Sequence, residues 1–81
     1  MSVLEVIAAE ALEGGHTVEA GALYVNVTTE AGTRVFATTL AGDLGLVELV
    51  FVAAGGNGSR IFTAYAADAA HLVAEALRVL P

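Results

Sequence analysis

Between Thr17 and Tyr65 the chain alternates with a period of two, and on either side apolar residues recur every three to four positions. Side chains along a strand point to opposite faces in turn. The odd positions are Leu23, Val25 and Val27, then Val35, Ala37 and Thr39. They continue with Val47, Leu49, Phe51 and Ala53, then Ile61, Thr63 and Tyr65, and none is charged. The even positions carry Asn26, Arg34, Glu48 and Arg60 among Tyr24, Phe36, Val50, Val52 and Phe62. This pattern predicts four strands, over roughly 17–29, 33–40, 46–54 and 59–65, with a bulge or bend at Gly21.

The turns carry the same phase from strand to strand. Glu30-Ala31-Gly32 fits a three-residue loop with Gly32 at the bulge position, which sets Val27 opposite Val35 and Val25 opposite Ala37. A turn at Ala41-Gly42-Asp43 sets Thr39 opposite Val47. A turn at Gly55-Gly56-Asn57-Gly58 sets Ala53 opposite Ile61. A slip of one residue in any hairpin would move a whole strand's apolar set to the other face.

The flanking segments read as helices. Ser2-Val3-Leu4-Glu5 is a capping-box pattern, and Gly14-Gly15 supplies a stop. Between them Leu4, Ile7, Ala8, Ala11 and Leu12 form one stripe, with Glu5, Glu10 and Glu13 on the other side. Asp68 is the expected N-cap of the last helix. There Ala69, Leu72, Val73, Ala76, Leu77 and Leu80 share one face, and His71, Glu75 and Arg78 share the opposite one. Both stripes need a surface, and the uncharged odd face supplies it. The expected fold is therefore α+β. It is a two-layer sandwich in which a four-stranded antiparallel meander carries the N- and C-terminal helices on one face, in the order α-β-β-β-β-α.

Composition sharpens this. Eighty-one residues make a single domain, 1–81, that buries only roughly 60–65% of its unfolded surface. Small domains often add a disulfide, a metal or a partner subunit. There is no Cys and there are only two His, so association with copies of itself is the route that remains. The chain is 57% hydrophobic, more than one small globule can enclose. No apolar run approaches the ~20 residues of a membrane span, and the N-terminus lacks the basic region of a secretory signal. The expectation is a soluble chain, cytoplasmic if expressed in a cell. A net charge of −6 argues against nucleic acid and anionic membranes as partners.

Candidate chemistry is sparse. Asp68, His71 and Glu75 share a helix face and resemble a base with orienting acids, but no nucleophile stands beside them and a solvated polar face looks the same. The Gly55–Gly58 run is followed by a strand rather than a helix and lacks a Walker Lys, so it reads as a hairpin turn and not a phosphate loop. The sequons at Asn26 and Asn57 are short enough to arise by chance. Asp43 and Glu48 are not brought together by any spacing. We therefore expect no catalytic activity, cofactor, metal or small-molecule substrate.

The even face is the informative surface. In the expected register Asn26, Phe36, Val50 and Ala64 form one cross-strand row, and Thr28, Arg34, Val52 and Phe62 the next. Phe36, Val50, Val52 and Phe62 then form an apolar centre, and Tyr24, Arg34, Glu48 and Arg60 form its rim. An apolar centre inside a polar rim is the anatomy of a protein interface. These eight residues are the expected subunit interface of a homo-oligomer. The same face could instead hold a small apolar ligand, and the edge strands, which carry few charges, offer a further route to pairing.

Lys, Gln, Cys and Trp are absent, Met occurs only at position 1, and Pro only at position 81. With the Ser2–Glu5 box, the Gly14-Gly15 stop, a glycine at each turn and the shared register, the whole chain resembles computationally designed, de novo homo-oligomeric α/β proteins. That resemblance is one of style and implies no natural substrate, only a fold or a symmetric assembly. A natural Ala-rich chain from a GC-rich genome, serving as a small-molecule binding module through its even face, is the alternative.

Overall fold

The computed structural model describes residues 2–40, 45–56 and 58–79. The expected turn at Ala41-Gly42-Asp43, the Asn57 sequon and the place of Leu80 in the last stripe lie outside the described residues. In chain order the elements are helix α1 (Val3–Glu13), strands β1 (Thr17–Ala20), β2 (Tyr24–Thr28), β3 (Arg34–Thr39), β4 (Leu46–Val52) and β5 (Ser59–Tyr65), and helix α2 (Ala66–Val79). A short 3₁₀ turn at Ala54–Gly56 lies in the β4–β5 connection. The fold is α+β, with both terminal helices packed on one face of an antiparallel meander ordered β1-β2-β3-β4-β5.

Helix α1 forms between its two sequence signals. The Ser2 hydroxyl accepts from the Glu5 N–H at 3.2 Å, and the Glu5 carboxylate accepts from the Ser2 N–H at 3.3 Å, closing the capping box. At the other end Gly15 takes φ +85°. The Gly15 N–H then reaches the Leu12 carbonyl and the His16 N–H reaches that of Ala11, each at 3.0 Å. This left-handed stop satisfies carbonyls the helix leaves open and turns the chain toward the sheet. Leu4, Ile7 and Ala11 are buried, whereas Leu12, expected on the same stripe, faces solvent.

The sheet has five strands among the described residues, not four. The expected first strand folds in two: β1 lies antiparallel to β2, with Ala20 opposite Val25 and Thr17 opposite Thr28. Gly21 is the pivot of a hairpin rather than a bulge within a strand. The link Ala22-Leu23 has no residue at positive φ, so it carries none of the Asn-Gly chemistry that marks a tight hairpin. Gly21 is required instead by a close approach. A Cβ there would stand 2.3 Å from Tyr24 Cε1, because the Tyr24 ring lies over the glycine.

The middle of the sheet follows the expected register. Val27 pairs with Val35, Val25 with Ala37, and Thr39 with Val47. The Glu30-Ala31-Gly32 loop closes through the Thr29 N–H to the Thr33 carbonyl at 2.8 Å, and the Thr33 N–H donates to Thr29 Oγ1 at 3.1 Å. The last hairpin departs from expectation. Ser59 faces Val52 and Ile61 faces Val50, so Ala53 does not pair with Ile61. The loop spans six residues, 53–58, and is tightened by Gly55 and Gly56, both at positive φ. An even loop pairs odd residues with even ones. Strand β5 is therefore turned over relative to the expected phase.

The core lies between the helices and the β2–β4 residues Val25, Val27, Val35, Ala37, Val47 and Leu49, all buried. Helix α1 packs on β1, β2 and β3, helix α2 packs on β4 and β5, and the two helices pack on each other. Ala69 and Val73 of α2 are buried in the same core. Helix α2 begins immediately after β5, so Asp68 lies in its first turn instead of capping it. An acid there still meets the positive end of the helix dipole.

Candidate functional site

The register decides which residues share the sheet face that carries no helix. Its middle row runs Glu19, Asn26, Phe36, Val50, Ile61. On one side lie Thr17, Thr28, Arg34, Val52 and Ser59, and on the other Tyr24, Thr38, Glu48 and Thr63. Leu46 and Tyr65 pair beyond these. Of the eight residues expected at a subunit interface, this face brings together Tyr24, Arg34, Phe36, Glu48, Val50 and Val52. It does not include Arg60 and Phe62. The overturned β5 puts those two on the helix side and brings Ile61 and Tyr65 to the open face in their place.

The open face is apolar at its centre. Phe36 is 37% exposed, Ile61 65% and Tyr65 68%, and Leu46, Val50 and Val52 are half-buried beside them. The Tyr24 and Phe36 rings stack across β2 and β3, with centroids 5.5 Å apart and planes 21° apart. That stack makes a flat, rigid surface with few rotamers left to freeze. Two charges flank the middle row on opposite sides, Arg34 on β3 and Glu48 on β4. They stand two rows apart, ~13 Å along the strands, so they do not meet within one chain. Among the described residues neither makes an ion pair.

Arg60 and Phe62 belong to a second surface. Phe62 meets Phe51 edge-on at 5.7 Å, and Arg60 sits opposite Phe51 across β4 and β5. With Leu49, and with Leu72, Ala76 and Val79 of α2, they line a groove of about 950 Å³ between the last helix and the sheet. No pattern along the chain marks this groove. It exists because β5 extends beyond the cover that α2 provides and because its phase is inverted. Phe62 remains 48% exposed and Leu72 45%.

The polar cluster on α2 lies on an open helix surface. His71 Nε2 lies 3.9 Å from Glu75 Oε1, with the His71 side chain 75% exposed, and it borders neither this groove nor the smaller cleft between the helices. The guanidinium of Arg78 pairs with Glu75 one turn away. The hydrogen bond from Arg78, reinforced by its charge, holds the Glu75 carboxyl below its ordinary value and raises Arg78 in return. This is an exposed helix-surface pair, well screened by solvent. Among the described residues no group of three or more acidic or His side chains is placed to hold a metal ion. No described helix is long and apolar enough to cross a membrane.

No protein-family model matches the chain, and neither the curated proteins nor the solved structures include a significant match.

Proposed function

We propose that the protein is a structural, self-assembling module whose working unit is a homodimer formed through the open face of the sheet, without catalytic activity. One observation carries this reading. A five-stranded sheet has both helices on one side, and the other side presents Phe36, Val50 and Ile61 as a continuous apolar row. Five strands at ~4.8 Å spacing and ~3.3 Å per residue give that face a footprint of roughly 500 Å² before side-chain relief. Two such faces together cover about 1,000 Å², the lower bound for a specific interface.

The charges select a second copy as the occupant. A two-fold axis lying along the middle row, between two stacked sheets, exchanges the rows on either side of it. It sets Arg34 of one copy over Thr38 of the other, one strand away from Glu48. The same operation generates the symmetric pair. The face thus brings Arg34 and Glu48 of two copies near each other at its centre, while Glu19, at the β1 end of the row, faces its own copy at the rim. The reading does not depend on whether the chain is designed or natural.

Light scattering and a charge swap test it. The expected result is twice the 8.2 kDa chain mass at micromolar concentration. Arg34→Glu alone weakens the dimer by setting two acids together, and Arg34→Glu with Glu48→Arg restores it. A monomeric parent overturns the proposal. So does a dimer that neither variant affects, because that dimer would be joined through the β1 or β5 edge instead.

A further inference from the structure

We infer that the groove between α2 and β5, on the opposite side from the open sheet face, is a binding site for an amphipathic monocarboxylate, a fatty acid or an aryl-alkanoic acid. The groove is lined by apolar side chains from two directions. Phe51 and Phe62 form its sheet wall, and Leu72, Ala76 and Val79, spaced along one side of the helix, form the other. Its volume of about 950 Å³ leaves room for a medium-length acyl chain.

Charge fixes the class of ligand. The chain carries nine acidic side chains and three arginines, yet among the described residues no acid lines the groove, and Arg60 is the charged residue that does. The three arginines differ in circumstance. Arg78 is taken by Glu75, and Arg34 stands on the open face. The Arg60 side chain makes no hydrogen bond or ion pair among the described residues. Its strand position places it beside the aromatic pair, opposite Phe51 and two residues before Phe62 on the same face of β5. A guanidinium in that place receives a carboxylate in a bidentate pair while the tail lies against Phe62 and Leu72. A cationic amphiphile would bring a second positive charge to Arg60, and a neutral one would leave it without a partner.

The test is a titration of the full chain with decanoate, followed by amide chemical shifts and by calorimetry, against decyltrimethylammonium and methyl decanoate. Decanoate is expected to shift residues 58–62 and 72–79 and to bind about tenfold more tightly than either control, the scale of one charge-assisted pair. Arg60→Leu removes that preference, and Arg60→Lys retains part of it. Phe36→Glu, on the other face, leaves the titration unchanged, which separates this site from the dimer contact. Shifts confined to the Phe36 face, equal affinity for all three amphiphiles, an unaltered Arg60→Leu titration, or no shifts at millimolar decanoate would each overturn the inference.

Discussion

Phe36→Glu is the substitution that presses hardest on the proposed dimer. Phe36 sits in the middle row of the open face, 37% exposed in the single chain. An aromatic side chain presents about 200 Å² in all, so some 75 Å² remains to be covered by a partner. At ~25 cal/mol per Å² that is about 2 kcal/mol for each copy, or about 4 kcal/mol for a two-fold contact that uses the residue twice. The corresponding loss of affinity is roughly 10³-fold, before any cost of placing two carboxylates in the interface. The cost to the fold is smaller. Within the chain Phe36 loses its stack on Tyr24, worth about 0.5–1.5 kcal/mol, while the core on the helix side is untouched. Sedimentation velocity at 1–100 µM, or roughly that range, should show the variant at monomer mass where the parent is dimeric, with its far-UV helix signal retained. Parent mass in a folded variant would refute the face-to-face contact. Loss of helix signal would show instead that the open face supports the fold itself, contrary to the burial described above.

Two further outcomes bear on the local structure. Gly21→Ala forces a Cβ to within 2.3 Å of the Tyr24 ring unless the ring moves. The ring must therefore leave its stack on Phe36. The expected destabilisation is about 1–3 kcal/mol, read by thermal melting, with a changed near-UV tyrosine signal; a variant that melts like the parent with its tyrosine signal intact would remove the close-approach argument. The Glu75 carboxyl is held low by the Arg78 hydrogen bond and charge, so whatever stability the pair adds is present above the ordinary carboxylate range and is lost as pH falls through the lowered value. Following the Glu75 side chain by NMR should show its midpoint rise in Arg78→Ala; an unchanged midpoint would assign the shift elsewhere.

The residues alone determined the elements whose signals are local. The Ser2–Glu5 box and the Gly14-Gly15 stop bound the first helix where the structure has it, because capping is an interaction between neighbours in the chain. The central register of β2, β3 and β4 was equally legible. Val25, Val27, Val35, Ala37, Val47 and Leu49 share one uncharged phase, whereas the other carries Asn26, Arg34, Thr38 and Glu48 beside its apolar residues, so the first phase is the one buried. Six of the eight residues expected at an interface also share one face, the one that carries no helix.

Tertiary structure decided the two ends of the sheet. Residues 17–29 contain no turn signal stronger than Gly21, and only the packing of β1 against α1 and β2 shows that the strand doubles back. In β5, Ile61 and Tyr65 lie on one phase and Phe62 and Ala64 on the other, so the period of two does not favour either phase. An even loop settled it and carried Arg60 and Phe62 to the helix side. Alternation specifies a strand's facing only where the two candidate faces differ in polarity, and an edge strand that is apolar on both sides takes its orientation from the loop that delivers it. The groove at Arg60 follows from that loop and from where α2 lies, neither of which is written in any single stretch of the chain.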